Sequence, residues 1–430
     1  MVRYDDYKDS GINWIGEIPA EWRESRIGNI YDARNEKVSE LDYAPLSVTM
    51  NGIVPQLETA AKTQDQDSRK LVKAGDFAIN SRSDRRGSCG IAPCDGSVSL
   101  ITNVLRPRRN VKMFDEYFEW LFHSEGFADE YYKNGTGIVD DLWSTNWSRM
   151  KKIAIPIPPI ENQKAISSYL NNRVGFTDSL IEKTTSSIDL LHEYRQSIIT
   201  EAVTHGLDPD APMKPSGIEW MGNIPANWQA RRVKAVVQRL NVGVVIEPSK
   251  YFDDNGTVPF LRGVNIKADG FDLSDLRYIT TQSNALLKKS IVHTGDIVVV
   301  RDGAPGTALV IPPQLDGANC VSLLELTCAS NIKPTYLRYA LAANCSQAQF
   351  AFLSNGTAIK HLNASELGMI FVTVPLLSEQ DEIIAYLDAK TAEIDALIAS
   401  KERQVELLRE YRKSIISEAV TGKFKVPGLE

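Results

Sequence analysis

The sequence predicts a mixed α/β fold in which two α/β domains are separated by two long, antiparallel coiled-coil helices. The halves of the chain should be related as a pseudo-twofold tandem repeat. Three observations predict this arrangement: a short tryptophan motif occurs twice, a long helical segment occurs twice, and a strand-rich block lies between them in each half. Self-similarity of this kind is the signature of a duplicated architecture.

The tryptophan motif opens each half of the chain. "SGINWIGEIPAEW" (10–22) recurs as "SGIEWMGNIPANW" (216–228), and residues 7–27 match residues 213–233 at 11 of 21 positions without a gap. Large aromatic side chains bury much apolar surface, so a repeated pair is typical of a packing role. We expect four tryptophans to pack the first strand of each block against the helices: Trp14, Trp22, Trp220 and Trp228.

The long helical segment closes each half. Residues 161–204 align without a gap with 378–421, and "EYRQSIITEAVT" and "EYRKSIISEAVT" differ at two positions. The second copy has neither Pro nor Gly, and its apolar residues follow one heptad register, which predicts a coiled-coil seam of roughly 60 Å. The interface residues that we expect there are Leu387, Ile394, Ile398, Leu408 and Ile415. The simplest partner is the other copy, packed antiparallel; two ordinary bundle helices are the alternative.

The block between these repeats is predicted to be mixed α/β in both halves. "GDFAIN" (75–80) and "GDIVVV" (295–300) are matched turn-and-strand signals. "DEYFEWLFHS" and "PTYLRYALAAN" are typical of short amphipathic helices. The loops differ, because "NSRSDRRGSCG" (80–90) corresponds to "VRDGAPGT" (300–307). A shared scaffold with different loops indicates similar binding tasks with different ligands.

These patterns divide the chain into seven segments. They are an N-terminal tryptophan motif (1–24), a first α/β domain (25–157), a central long helix (158–205), a linker with the second tryptophan motif (206–228), a second α/β domain (229–374), a C-terminal long helix (375–422) and a tail (423–430).

Charge is unevenly distributed among these segments. The whole chain has a net charge of −7, which by itself argues against a nucleic-acid partner. Residues 25–157 are neutral, however, residues 229–374 carry +3, and the remaining segments carry −10. The acidic helical frame therefore favours protein partners, and any anion binding is expected in the two blocks.

The chain shows no membrane or secretion signal. Its first residues, "MVRYDDYKDSG", lack an apolar core of the signal-peptide type, and no apolar run approaches the roughly 20 residues of a membrane span. The five cysteines form no C-x-x-C pair, which favours free thiols in a reducing compartment. We therefore expect a cytoplasmic location.

Motifs for catalysis are absent from the sequence. It contains no G-x-x-x-x-G-K-[ST] phosphate loop, no Asn/Asp-Pro-Pro-aromatic motif and no G-x-G-x-x-G. Cys89, Cys94 and His123 lack a fourth ligand and the spacing of a zinc site, so we expect no metal and no catalytic residue.

The ordered set of motifs resembles the specificity subunit of type I restriction–modification systems (the HsdS family). The resemblance covers essentially the whole chain, through "SGI.W.G.IP..W" before each block, "FLRGVNI", "GDIVVVRDG" and "NGTAIKHLN" inside the second, and "EYR.SII.EAVT" at the end of each long helix. It implies a non-catalytic prokaryotic phage-defence protein in which each α/β block is a target-recognition domain. Each domain would read one half of a bipartite, asymmetric DNA site, and the helices would set the spacer.

The resemblance also implies the partners and cofactors. We expect double-stranded DNA, two methyltransferase subunits docked on the helices and, in a complex that cleaves DNA, two restriction/translocase subunits. S-adenosylmethionine, ATP and Mg²⁺ would belong to those partners, with no cofactor in this chain. Two alternatives stay open: the specificity component of a methylation-only or other phage-defence complex, and a coiled-coil scaffold that binds proteins rather than DNA.

Candidate DNA contacts follow from the preference of Arg for guanine edges and of Lys for phosphate. In the first block they are Lys62, Arg69, Lys70, Arg82, Arg85 and Arg86. In the second block they are Arg262, Lys267, Lys288, Lys289, Arg301, Lys360 and His361. Two structural alternatives apply: Asp84 would tether the "SRSDRRGS" loop, and Asp302 would hold Arg301 in a hairpin.

Overall fold

The computed structural model describes residues 2–57, 68–82, 86–137, 143–245, 247–354 and 362–429. The chain forms two compact units. The first contains Met1–Thr185 together with Glu402–Glu430, and the second contains Ser186–Lys401. The division falls inside both long helices rather than at their ends, so the domain borders given above stay predictions.

The α/β part of the first unit is built on a four-stranded antiparallel sheet. Its strands lie in the order Cys89–Ile91, Phe77–Asn80, Thr102–Pro107 and Tyr31–Ala33. A second sheet has the order Gly96–Ser99, Arg69–Val72 and Lys37–Val38, and the paired strands Leu46–Thr49 and Gly52–Pro55 form a hairpin. The helices Asp115–His123 and Glu125–Lys133 follow, and Ala154–Ile157 pairs with Arg23–Arg26.

The second unit repeats the order of the four-stranded sheet. Its four-stranded sheet runs Ala308–Val310, Ile297–Val300, Leu323–Cys328 and Val237–Val242. A three-stranded sheet has the order Arg277–Ile279, Val258–Leu261 and Asn319–Cys320. The helices Pro334–Ala342 and Asn344–Ser354 follow, and Gln229–Arg232 pairs with Phe371–Val374. The predicted mixed α/β fold, repeated in both halves, is therefore confirmed.

Two long helices connect the units through the covalent chain. The central helix is Ile160–His205 and the C-terminal helix is Leu377–Val420. Each gives its N-terminal part to one unit and its C-terminal part to the other. Within each unit the two segments run antiparallel, as predicted: Tyr169 contacts Phe424 and Asp178 binds Arg412 in the first unit.

The two segments are joined by the same ion pair in each unit. In the first unit Arg412 Nε donates to Asp178 Oδ1 at 2.7 Å, and in the second Arg195 Nε donates to Asp395 Oδ1 at 2.8 Å. Arg195 and Arg412 occupy matching positions of the helix repeat, and so do Asp178 and Asp395. Each long helix therefore contributes the Asp of the ion pair in one unit and the Arg of the ion pair in the other.

The apolar seam of the helices is buried where the heptad register predicts. Leu387, Ile394, Ile398 and Ile415 are buried, and Leu408 is half-buried. The polar residue Thr391 lies in the same seam, where its hydroxyl donates to the Leu387 carbonyl at 2.7 Å. The Thr391 oxygen also lies 3.4 Å from the Tyr339 hydroxyl. The polar group is therefore satisfied within the unit, and the interruption does not end the packing.

A tryptophan packs against the glycine that ends a long helix in each unit. Gly206 and Gly422 follow the helices with φ of +81° and +71°, the left-handed conformation that favours glycine at this position. A Cβ on Gly206 would lie 3.2 Å from the Trp228 ring, and one on Gly422 would lie 3.0 Å from the Trp22 ring and 2.5 Å from Pro19 Cδ. Trp22 and Trp228 are fully buried.

The other two tryptophans differ between the units. Trp14 is half-buried against Phe127 and donates through its indole N–H to the Ala154 carbonyl at 3.3 Å. Trp220 is 40% exposed and contacts the ring of Phe352, with centroids 5.4 Å apart.

The first unit is closed by both ends of the chain. Ile415, Val420 and Phe424 belong to the same buried cluster as Trp22 and Phe122. The Tyr117 hydroxyl donates to the Val420 carbonyl at 2.8 Å, as Tyr336 does to Val203 in the second unit at 3.4 Å. Val2 also pairs with Lys425.

The helices of the described part of the chain include none long and apolar enough to span a membrane. The five cysteines are free thiols, and Cys89, Cys320 and Cys345 are buried.

The glycine at the end of the C-terminal helix gives a test of this packing. We expect Gly422→Ala to lower the free energy of unfolding by more than about 1 kcal/mol, because its φ is positive and Pro19 occupies the space of the new Cβ. Gly175→Ala is the matched control: Gly175 is helical, nothing lies within 4 Å of its Cβ position, and alanine there should stabilise by about 0.5–1 kcal/mol. Thermal unfolding of both variants measures the difference, and equal shifts would contradict the packing described.

Candidate nucleic-acid interface

Equivalent loops leave the four-stranded sheet in the two domains. In the first unit the loop begins after Asn80, whose N–H donates to the Ser88 carbonyl at 2.9 Å. In the second unit Val300 N–H donates to the Thr307 carbonyl, also at 2.9 Å. These bonds close each loop at its base, at the end of a buried strand.

A partly buried ion pair supports the strand below each loop. Arg34 Nε donates to Asp76 Oδ2 at 2.6 Å, and this hydrogen bond raises the pKa of Arg34. In the second unit Arg239 Nη2 donates to Asp296 Oδ2 at 2.8 Å. Sequence reasoning missed these arginines, although the repeated Gly-Asp before each strand marked their carboxylate partners. The charges of Arg34 and Arg239 are therefore paired with carboxylates inside their own domains.

Two basic candidates of the first domain point into the protein. Arg69 is 3% exposed and donates to the hydroxyl of Ser97 at 2.8 Å and to its carbonyl at 3.0 Å. Lys70 is half-buried and donates to the Thr102 carbonyl at 2.6 Å. Burial lowers the pKa of both groups. Both side chains hold strands together in this arrangement.

Two other candidates of the first domain lie together on the surface. Arg82 and Arg86 are exposed and line one cleft with Tyr132 and Trp143. Arg86 contacts the carboxylate of Asp129. Sequence reasoning missed the two aromatic residues; the only signal was their place on either side of the "NGTG" turn. Lys62 and Arg85 lie outside the described residues, as does Asp84.

The candidates of the second domain are spread over several elements. Lys267 is exposed at the end of the strand Ile266–Lys267, and Lys288 and Lys289 are exposed on the turn Lys288–Ser290. Arg262 binds the carboxylate of Asp275 at 2.8 Å. Arg301 is half-buried and donates to the Leu362 carbonyl at 3.3 Å. Lys360 and His361 lie outside the described residues.

The second domain also buries a carboxyl group beside its ion pair. Glu325 is fully buried, and its Oε1 accepts from the Cys320 thiol at 2.9 Å. Burial raises the pKa of Glu325 to about 7, against a smaller opposing effect of Arg239. The same burial, with Glu325 nearby, raises the pKa of the Cys320 thiol.

Metal binding finds no support in the part of the chain that the structure describes. No group of three or more His, Cys, Asp or Glu side chains is placed there to hold an ion.

Two equivalent α/β domains that differ in their exposed loops are typical of a protein with two related recognition sites. The family described as "Type I restriction modification DNA specificity domain" matches residues 19–190 and 225–407. These matches cover most of the chain, and the chain belongs to this family.

Individual relatives agree with the family match. The chain is 23% identical over 439 aligned positions to the putative type I restriction enzyme MjaX specificity subunit of Methanocaldococcus jannaschii, with 96% of each chain covered. It is 24% identical over 276 positions to the EcoBI specificity subunit of Escherichia coli, covering 63% of this chain and 58% of that one.

Solved structures share the fold. One, described as showing complex assembly and conformational transition of the type I R-M system, superposes with a TM-score of 0.72 at 15% identity, covering 94% of this chain and 98% of that one. The HsdS subunit of Thermoanaerobacter tengcongensis gives 0.50 at 18% identity, with the same coverage.

The buried carboxyl group predicts how stability depends on pH. The pKa of Glu325 rises from 4.5 to about 7 on folding, so its contribution to stability is complete below about pH 4.5 and is lost as pH rises through 7. In the wild type, the free energy of unfolding of the second unit should decrease by roughly 3 kcal/mol between pH 4.5 and 8. We expect Glu325→Gln to abolish this decrease, because the amide does not ionise.

Denaturant unfolding at a series of pH values measures this dependence. Asp269→Asn, which changes an exposed carboxylate of the same domain, is the control and should keep the wild-type slope. Parallel pH profiles for wild type and Glu325→Gln would show that the fold does not favour the neutral carboxyl group.

Proposed function

We propose that this chain is the DNA-specificity subunit of a type I restriction–modification complex, and that each α/β domain reads one half of a split DNA site. The observation that carries this proposal is the repetition of one sheet order and one loop anchor on two domains whose exposed loop residues differ. Equivalent scaffolds present the loops in equivalent ways, and different side chains read different bases. The relatives named as specificity subunits support the same function.

The spacing of the half-sites is assigned to the long helices. Each helix is continuous from one unit into the other, and each unit holds it by an ion pair and a buried seam. A helix is stiff over this length, so the number of base pairs between the half-sites should be fixed. Two readers on one face of B-DNA lie about one turn apart, near 34–36 Å.

The docking surface for methyltransferase subunits is assigned to an exposed apolar pair on the helices. Leu190 and Tyr194 are exposed on the central helix, one turn apart. Leu407 and Tyr411 are their counterparts in the repeat and are also exposed. A pair that occurs once in each unit fits a partner that binds in two copies.

The chemical reactions are assigned to partner subunits. The chain carries out recognition, while S-adenosylmethionine-dependent methylation and ATP- and Mg²⁺-dependent restriction belong to methyltransferase and restriction/translocase subunits. A complex that only methylates would use this chain in the same way. The alternative is a scaffold that binds only proteins. DNA binding by the chain would distinguish the proposed function from this alternative.

Methylation in cells is the test of the recognition function. We expect this chain, produced with its methyltransferase subunit in a host without DNA methylation, to direct modification of one bipartite, asymmetric motif with a fixed gap. Asymmetry is expected because the loops of the two domains differ. Sequencing of modified bases across the host genome measures the motif.

Binding in solution provides the control for that experiment. A DNA-reading complex should lose affinity steeply as salt increases, because phosphate contacts release counterions. A palindromic motif would contradict the assignment of one half-site to each domain. A stable complex without salt-dependent DNA binding or methylation would favour the scaffold function.

The docking surface predicts a change in stoichiometry. Replacing Leu190 and Tyr194 together by Arg should reduce the methyltransferase subunits bound from two to one, because charge opposes burial of that surface. The same change at Leu407 and Tyr411 should also leave one, and all four replacements should leave none. Native mass spectrometry of the purified complex counts the subunits.

Phe176→Arg is the matched control for the docking surface. Phe176 is exposed on the central helix like the repeated pair, but its counterpart in the other helix is Glu393. This variant should keep two subunits. A loss caused by Phe176→Arg, or two subunits retained by the four-residue variant, would contradict the assignment.

A further inference from the structure

Three side chains of the first domain form a stack beside its recognition loop. The ring of Tyr132 lies against the indole of Trp143, with centroids 5.7 Å apart and planes inclined by 29°. The guanidinium carbon of Arg86 lies 5.9 Å from the centroid of Tyr132. Arg86 is therefore held against an aromatic ring while its side chain stays about half exposed.

The local backbone fixes the aromatic part of this stack. Trp143 donates through its indole N–H to the Tyr132 carbonyl at 2.9 Å. Gly135 leaves room for the indole, since a Cβ there would lie 2.2 Å from Trp143 Nε1. Thr136 and Ser144 exchange two backbone hydrogen bonds of 2.9 and 3.0 Å. These bonds hold the backbone next to Trp143 against the backbone that follows Gly135.

Buried hydrogen bonds tie the stack to the core of the domain. Thr145 N–H donates to the Ser81 carbonyl at 2.9 Å, and its carbonyl accepts from the Tyr131 hydroxyl at 3.0 Å and from Asn103 at 2.8 Å. Thr145 itself is 1% exposed. The residues that flank Tyr132 and Trp143 are thus anchored, and the stack is a preorganised surface rather than a pair of free side chains.

The surroundings of Arg86 leave space for DNA to approach. Gly87 follows it with φ of +76°, and nothing lies within 4 Å of the position that a Cβ would take. Arg86 Nη2 meets the carboxylate of Asp129. A guanidinium carries five N–H donors in a fixed plane, more than one carboxylate satisfies. The ring and the carboxylate orient the group and leave donors for a further acceptor.

The stack is a property of the first domain. Gly87 and Gly306 occupy the same place before the strands Cys89–Ile91 and Ala308–Val310, so Pro305 corresponds to Arg86. The matched Tyr117 and Tyr336, which make the same hydrogen bond in the two units, align Tyr132 with Ala351. Neither counterpart carries a charge or an aromatic ring.

We propose that Arg86 reads a guanine in the half-site of the first domain, and that Tyr132 and Trp143 are positioning residues that hold its guanidinium plane. The inference rests on the proposed function and adds the residue, the base and the half-site. A planar fork donates to guanine O6 and N7 together, which a lysine ammonium does not reproduce. Fixing that plane before binding reduces the entropy lost when the two bonds form.

The test uses the whole complex and reads the methylated motif. Arg86→Ala and Arg86→Lys should relax one guanine position by about tenfold or more, in one half-site only, while the other half-site and the gap stay as in wild type. Tyr132→Leu should relax the same position, because it removes the ring under the guanidinium. Tyr132→Phe keeps the ring and should keep the motif.

Three controls separate base reading from folding and from phosphate binding. Size-exclusion chromatography shows whether each variant still assembles, and oligonucleotides with each base at the relaxed position measure discrimination by the purified complex even where methylation is too weak to map. Lys289→Ala, at an exposed lysine of the second domain, should leave the first half-site unchanged.

Each outcome decides between the proposals. A wild-type motif with no guanine in the relevant half-site, an unchanged motif in Arg86→Ala, or an unchanged motif in Arg86→Lys would overturn the guanine contact. Equal relaxation of both half-sites would overturn the assignment to the first domain, and relaxation by Tyr132→Phe would overturn the role of the ring. A wild-type complex without any split motif would instead refute the proposed function itself.

Discussion

The structure depends on one constraint: each long helix must bury its apolar seam and pair its charged groups in two different units. Each unit receives the N-terminal part of one helix and the C-terminal part of the other. The pair Asp178–Arg412 in one unit and Asp395–Arg195 in the other is the same contact with the partners exchanged. Exposed ion pairs contribute little energy each, so their role is to fix register, while buried residues such as Leu387 and Ile415 supply the stabilisation.

The α/β domains are attached to this frame by contacts that repeat with the helices. Gln163 accepts from the N–H of Phe114 at 2.8 Å, and Gln380 accepts from the N–H of Lys333 at the same distance. Phe114 and Lys333 directly precede the helices Asp115–His123 and Pro334–Ala342, so these bonds place the start of each helix pair relative to the start of a long helix. Because the frame is duplicated and the loops are not, the recognition residues of one domain are free to differ from those of the other without changing how either domain is held.

The sequence predicted the duplicated elements well and the tertiary partners poorly. Heptad spacing located the long helices and most of their buried positions, and the repeated Gly-Asp located the central strands, because both signals are local. Periodicity identifies the apolar face of a helix but not what covers it, so the sharing of each helix between two units was not foreseen. Arg69 was predicted as a DNA contact from its type alone, and the structure places it inside the domain with Ser97. The Tyr132–Trp143 stack was missed, because the turn between the two residues was its only signal and the contact also needs the space that Gly135 leaves for the indole.

The packing of residues 415–426 into the first unit has a consequence for synthesis. The second unit is continuous, Ser186–Lys401, but the core of the first unit needs Ile415, Val420 and Phe424. A nascent chain therefore completes the core of the first unit only after residues 415–424 have left the ribosome. Until then Trp22 and the surrounding apolar side chains lack their cover, and contacts across nearly the whole length of the chain must form last. A truncation that removes residues 415–424 would thus expose the core of the first unit, most of which lies at the start of the chain.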